Sequence, residues 1–287
     1  MKELSILEQL CFCTTRIEAV GNDDHIRYGT GFFYLFPTIA GEECGFVYLV
    51  TNKHLVLNTK EIKFGFSKQN SNGDPIYEPP VFQLTRISDA ILYHPNEDID
   101  LCAIPITMFI KVRESMGQKI FLKNISCGII PTKEQWDNLE PIEDILLIGY
   151  PNALWDERNN MPLVRKGITA TAPYLDYNGK REFVIDAACF HGSSGSPVFI
   201  YNNGTYRDKK SNSIVMGTRL YFLGILYGGP GFTVNGKLVS KNNIANIDKI
   251  KSQASIPTNL GYVIKSDVLY DFIPLVEAQT KTKIKKQ

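Results

Sequence analysis

Hydrophobic residues in this chain come in short bursts separated by polar, turn-forming positions. Gly31–Pro37, Gly45–Thr51, Ala90–Tyr93, Ile145–Gly149, Phe183–Ala187, Pro197–Tyr201 and Tyr221–Tyr227 are rich in Val, Ile, Leu, Phe and Tyr. Such side chains pack well on a pleated, half-buried surface and so favour extended backbone. Turn signals at Asn72-Gly73-Asp74, Asn178-Gly179, Asn203-Gly204 and Asn235-Gly236 separate many of the bursts. Short strands at this spacing predict an all-β sandwich or barrels, not alternating βα units.

Helix is predicted in only two places. Lys2–Leu10 reads as a short helix leading into the first strand. Ser266 reads as the N-cap of an amphipathic helix over DVLYDFIPLVEAQT, disturbed at Pro274, whose ring cannot sit in a helix interior. The closing TKTKIKKQ has one aliphatic residue, Ile284, and reads as a frayed, solvated tail. Lys68–Pro80, Arg207–Ser213 and Gly229–Pro257 are polar and read as surface insertions. Pro105–Asp144 is irregular, with Pro131, Trp136 and Pro141, and reads as a connector between two lobes.

Composition narrows the classes. The 287 residues are 44% hydrophobic with a net charge of +1, too apolar and too weakly charged for disorder. Basic residues number 31 and acidic ones 30, without the cationic surplus that phosphate-held nucleic-acid binders carry. No run approaches the roughly 18 consecutive apolar residues of a membrane span. The N-terminus, broken by Glu3, Glu8 and Gln9, lacks the apolar centre of a secretory signal. The cysteines (Cys11, Cys13, Cys44, Cys102, Cys127, Cys189) form no CxxC pair, and most lie in apolar runs. Reduced thiols in a cytoplasmic protein are therefore expected.

The sharpest chemical signal is Asp186-Ala187-Ala188-Cys189-Phe190-His191-Gly192-Ser193-Ser194-Gly195-Ser196-Pro197-Val198. Glycines two before and one after Ser194 let the backbone turn tightly, so that nearby N–H groups converge while the hydroxyl is exposed. An acyl-transfer nucleophile needs that arrangement, with the Gly192 and Ser194 amides as oxyanion hole. Alone, the string reads rather as a Gly/Ser turn without chemistry. A hydroxyl nucleophile also needs a base, and the base an orienting carboxylate. Of His25, His54, His94 and His191, His54 ends the run Tyr48-Leu49-Val50-Thr51-Asn52-Lys53, where an apolar strand stops. Asp98 and Asp100 are the carboxylate candidates; they share a face if the strand has already begun, and Asp100 abuts the apolar run.

Taken together, in chain order, these strings resemble the trypsin-like (chymotrypsin-fold) serine proteases, most closely the HtrA/Deg-type branch. Thr51-Asn52-Lys53-His54 is similar to that branch's TNxH, Asp100-Leu101-Cys102-Ala103 to DLAV, and Asp186 through Pro197 to DAAxxxGNSGGP. Gly29-Thr30-Gly31-Phe32-Phe33 resembles its GSGF strand start, and Gly224-Ile225-Leu226-Tyr227-Gly228-Gly229 its substrate-pairing strand. Ser193 and Ser196 depart from the family's usual Asn or Asp and Gly. Few residues follow the region of resemblance, so the branch's PDZ domain is not expected.

The resemblance implies two packed antiparallel β-barrels with a short C-terminal helix. Residues 1–125 would form an N-terminal lobe carrying His54 and Asp100, and residues 126–287 a lobe carrying Ser194. It implies a serine endopeptidase with His54 as base, Asp100 as its orienter and Gly192 and Ser194 amides as oxyanion hole. Ala188 and His191 would border the specificity pocket, and peptide substrate would pair with Tyr227, Gly228 and Gly229. Ala188 carries no charge where relatives selecting basic residues place an acid, so cleavage after a small or medium apolar residue is expected. No metal or cofactor is implied, nor a nucleic-acid or membrane partner. A cytoplasmic protease must be restrained, by narrow specificity or by a regulatory protein partner. The rival reading is an idle trypsin-like module that binds extended peptides. An esterase with the same triad lacks a GxSxG elbow here, and a metal-dependent hydrolase lacks HExxH.

Overall fold

The computed structural model describes residues 3–86, 90–237 and 251–286. Nine strands form one antiparallel-dominated sheet: β1 (Thr14–Gly21), β2 (Ile26–Thr38), β3 (Gly41–Thr51), β4 (Thr59–Gln69), β5 (Pro75–Arg86), β6 (Leu92–Tyr93), β7 (Cys102–Pro105), β8 (Ile120–Phe121) and β9 (Ile125–Ser126). Their order is β5-β4-β1-β2-β3-β7-β6, with β8 on β4 and β9 on β2. A second set closes into a six-stranded barrel from β10 (Asp144–Gly149), β11 (Leu163–Thr169), β12 (Glu182–Asp186), β13 (Pro197–Asp208) and β14 (Ser213–Gly228). A separate hairpin of β15 (Gly231–Lys237) and β16 (Lys251–Pro257) precedes β17 (Leu260–Lys265), which completes the barrel between β12 and β14. The all-β class agrees with the sequence pattern, and the two barrel-like halves agree with what the family resemblance implies.

Strand alternation explains how the two halves meet. In β2, Phe33 faces the core of the first lobe with Ile17, Leu49, Ile62 and Phe64, while Phe32, Tyr34 and Phe36 point the other way. That outer face joins Ile148, Phe199, Phe222, Ile225 and Ile264 from the barrel's exterior in a third core between the lobes. The barrel interior is filled by Ile145, Leu147, Phe183, Ile185, Val198, Leu223 and Val263. Period-two side chains therefore bury both faces of β2, as a sheet sandwiched between two cores requires.

The helices are short: α1 (Ile6–Cys11), α2 (Lys53–Val56), α3 (Thr107–Ser115), α4 (Lys133–Asp137) and α5 (Ile273–Thr280). Ser5 caps α1 in a reciprocal box with Glu8. Among the described residues no helix is long and apolar enough to cross a membrane.

Several local expectations are corrected. Lys68–Pro80 is not an insertion but the ends of β4 and β5 joined at Asn70–Asp74. Asn203-Gly204 is mid-strand in a long ribbon, where Gly204 pairs with Gly217. Pro105–Asp144 contains α3, β8 and β9, so only its later part connects the lobes. Within Gly229–Pro257 two strands pair, while residues 238–250 lie outside the described residues. Ser266 caps nothing: it opens a 3-10 turn through Phe272, and Pro274 sits in the first turn of α5, where its missing N–H is harmless. The tail is docked: Ile284 is buried, and Lys285 N–H donates to Pro37 O at 2.7 Å.

A buried ion pair braces the barrel rim. Arg219 of β14 grips both carboxylate oxygens of Glu143, at 3.2 and 2.5 Å, and its Nε donates to Asn202. Arg219→Met strands that carboxylate in a nearly dry site, and is expected to lower unfolding free energy by about 3–5 kcal/mol in denaturant titration.

Candidate active site

β3 and β7 run antiparallel with Thr51 opposite Cys102. Carrying that register two residues past the end of β3 brings position 53 beside position 100, so the chain that leaves β3 meets the chain that enters β7. Asn52 locks the junction by donating its side-chain N–H to Asp100 O at 2.8 Å. The segment then coils into α2 rather than staying extended, and Lys53 turns to the carbonyls of Asn96 and Glu97. His54 receives both oxygens of one carboxylate: its amide donates to Asp100 Oδ1 at 3.0 Å, and its ring Nδ1 meets Oδ2 at 2.5 Å. With Nδ1–H committed to the carboxylate, the neutral ring keeps its lone pair on Nε2. Asp98 has no such partner; it lies exposed in a turn made by Asn96, and β7 begins too late for the two aspartates to share a strand face.

The nucleophile loop is gripped from the other lobe by Thr30. Its hydroxyl donates to Gly192 O at 3.0 Å and accepts from Ser196 and from the Tyr150 amide, and its own N–H donates to Ser194 O at 2.8 Å. Gly195 has φ +87°, and a Cβ there would stand 1.9 Å from Thr30 O. Gly192, at φ +81°, is backed by Tyr150 O, 2.6 Å from where a Cβ would stand. Both positions therefore demand glycine.

Backbone N–H groups removed from water need acceptors, and three in this loop have one. The amides of Ser193, Gly195 and Ser196 donate to Phe190 O, Leu226 O and Ser193 O. Those of Gly192 and Ser194 meet no acceptor among the described residues. Two unengaged N–H groups thus flank the half-buried Ser194 hydroxyl. That hydroxyl donates to Tyr227 O at 3.3 Å, not to His54.

Two hollows open on either side of Ser194. One, about 480 Å³, is lined by Ile26, Tyr28, His54, Leu55, Asn152 and Gly192. The other, about 200 Å³, is lined by Cys189, Phe190, Leu226, Gly228, Thr258 and Leu260, among others, with no carboxylate or Lys/Arg side chain among the described residues. His191 borders both, and its carbonyl accepts the Asn152 amide at 2.5 Å. The smaller hollow starts at Cys189 rather than at Ala188, whose carbonyl instead accepts from Arg165 at 2.7 Å. Burial pushes the Cys189 thiol up to about 11, so it is a protonated wall and not a rival nucleophile. β13 last pairs with β14 at Ile225, which leaves Tyr227–Gly229 with an open backbone edge. The Tyr227 phenol, raised by burial and by Glu182, donates to that carboxylate at 3.0 Å. Among the described residues no group of three or more His, Cys, Asp or Glu is arranged to hold a metal ion.

Sequence reasoning missed Thr30's grip, Arg165 and the Thr258–Leu260 wall. Thr30 stands in a motif that drew attention for its glycines, and Thr258–Leu260 lies far along the chain, brought in by the pairing of β14 with β17.

A family model described as a trypsin-like peptidase domain matches residues 29–207, a span that includes His54, Asp100 and Ser194. No curated protein matches the sequence. Among solved structures the chain is similar to an HtrA-type protease AlgW with tripeptide, at 14% identity and TM-score 0.47 over 96% of this chain and 63% of that one. It is also similar to a serine endoprotease from Yersinia pestis (15%, TM-score 0.46, covering 98% and 68%). A third similar structure is HL collagenase (12%, TM-score 0.46, covering 95% of each chain). The chain spans less than two thirds of the length of the first of these.

Proposed function

The chain belongs to the trypsin-like peptidase domain family, and we propose that it is a serine endopeptidase acting through Ser194, His54 and Asp100. The observation that carries this reading is the pair of unengaged amides, Gly192 and Ser194, flanking a serine hydroxyl in a cleft that also holds a carboxylate-oriented histidine.

Peptide adds as a strand along Tyr227–Gly229, taking affinity from main-chain hydrogen bonds. A substrate N–H that claims Tyr227 O displaces the Ser194 hydroxyl from it, freeing the hydroxyl to turn to His54 Nε2. Ser194 Oγ attacks the peptide carbonyl while its proton passes to Nε2, and Asp100 stabilises the imidazolium. The carbonyl oxygen becomes an oxyanion between the Gly192 and Ser194 amides, each contributing about 3 kcal/mol in comparable sites. His54 then protonates the leaving amine, and water resolves the acyl-enzyme by the same route.

The 200 Å³ hollow would take the residue before the cut. Its Cys189, Leu226 and Leu260 walls favour a small or medium apolar side chain. A peptide library is expected to show Arg or Lys there about 100-fold or more below Val, Ala or Leu, since no partner awaits a desolvated cation. Dominance of Arg or Lys would reverse that assignment. The free thiols of Cys11, Cys13, Cys102 and Cys189 fit a reducing, cytoplasmic compartment, where restraint by narrow specificity or a protein partner is required.

A fluorophosphonate probe tests the reaction class. Wild-type chain is expected to label, and Ser194→Ala to abolish the label. Labelling that survives in Ser194→Ala means another nucleophile. Failure of folded wild type to label supports the second reading, a peptide-binding module without turnover, which the Ser194–Tyr227 hydrogen bond favours.

A further inference from the structure

Behind the nucleophile loop stands a cation with no counter-ion among the described residues. Arg165, near the start of β11, sends Nη1 to two acceptors at 2.7 Å, Ala188 O and Ser193 Oγ. Its Nε and Nη2 are buried and meet no acceptor, and no carboxylate lies within ion-pair distance among the described residues. Burial lowers its pKa to about 10, so it remains charged at neutral pH. An unpaired, desolvated guanidinium weakens a fold, and an apolar side chain of similar size would serve packing better. Its retention therefore points to the two groups it touches.

Both lie on the loop that presents the unengaged amides. Ser193, which is 1% exposed, closes the turn from Phe190 with two bonds: its amide donates to Phe190 O at 3.0 Å, and its hydroxyl accepts from the Phe190 amide at 3.3 Å. Ala188 O lies on the limb before that turn. Arg165 thus ties the two limbs together through one nitrogen, and Ser193 is the residue between Gly192 and Ser194.

We infer that Arg165 is a positioning residue for the oxyanion hole, acting through Ser193: it fixes the spacing of the Gly192 and Ser194 amides and sets a positive charge behind them. The role rests on the serine-peptidase reading. Charge at this place is felt by the oxyanion, which exists only during reaction, far more than by the neutral carbonyl of bound substrate. Removing it therefore lowers kcat and spares KM.

The test compares full-length wild type, Arg165→Met, Arg165→Lys and Ser193→Ala by steady-state kinetics on a peptide with an apolar residue before the cut. Affinity for a peptide trifluoromethyl ketone, which forms an oxyanion-like adduct, is measured beside affinity for the corresponding free peptide acid. Arg165→Met is expected to lose about 100-fold in kcat and about the same factor in ketone affinity, with KM and free-peptide affinity within about 3-fold of wild type. Arg165→Lys keeps the charge and is expected to regain about 10-fold of that loss. A folded Arg165→Met with kcat within about 3-fold of wild type, or one whose KM rises while kcat holds, overturns the role. If Arg165→Met does not fold, Ser193→Ala decides: a kcat loss of about 10-fold at constant KM supports the role, and an unchanged kcat overturns it. Fluorophosphonate labelling of wild type runs alongside. Labelling with an inert Arg165 removes this role alone, whereas absent labelling removes the serine reading and the role with it.

Discussion

Asp100→Asn is expected to lower kcat by about 10⁴-fold while the protein stays folded and KM changes little. The carboxylate has two tasks here. Oδ1 accepts the His54 amide and Oδ2 accepts the ring Nδ1–H, at 3.0 and 2.5 Å. An asparagine amide keeps the first with its oxygen but then turns an NH₂ toward Nδ1. The imidazole answers by moving its proton to Nε2, the nitrogen that must receive the Ser194 proton. Geometry survives and basicity at the required atom is lost. Asp98→Asn is the control, since Asp98 is exposed and has no contact with the ring. Steady-state kinetics with circular dichroism decide it: a loss under about 10-fold would remove Asp100 from the site.

Gly195→Ala is expected to abolish fluorophosphonate labelling and to lower stability together. At φ +87° a non-glycine residue is strained by about 1–3 kcal/mol before any contact is considered. The added methyl would also stand 1.9 Å from Thr30 O and 2.8 Å from Thr51 Oγ1, neither of which is a flexible side-chain end free to withdraw. The Thr30 carbonyl belongs to β2, so the nucleophile loop must give way instead. That breaks the Thr30–Ser194 backbone bond and the Gly195–Leu226 bond, both of which set the direction of the serine hydroxyl. Thermal unfolding and probe labelling of the purified variant check both halves. Wild-type labelling in Gly195→Ala would show that the loop has room the contacts deny.

The fold was legible where burial acts on every second residue. Phe32 and Phe33, or Leu49 and Val50, are apolar on both faces because two cores meet at those strands, and such runs read as buried strand in any context. The edge hairpin at Lys68–Pro80 was not legible, because its bonds are made by backbone and its side chains are solvated. The tail misled for the opposite reason. One isoleucine, Ile284, two main-chain bonds and the Glu277 carboxylate hold it, too little pattern for a periodicity to register. In the candidate site, His54, Asp100, Gly192 and Ser194 stood out because the chemistry dictates residue type and because their motifs follow the chain order of a family they resemble. The choice between Asp98 and Asp100 needed the β3–β7 register. Arg165 was silent, since an arginine in a strand looks like a solvated one until its surroundings are known.

The core shared by the two lobes bears on how this molecule fails when heated. Phe32, Tyr34 and Tyr48 from one side and Phe199, Phe222 and Phe272 from the other are all buried in it. Parting the lobes would expose these rings at once, so the two halves are expected to unfold together. His54 and Ser194 are carried on the two lobes that this core joins. Calorimetry is therefore expected to show a single transition, and two resolved transitions would show that the lobes melt apart.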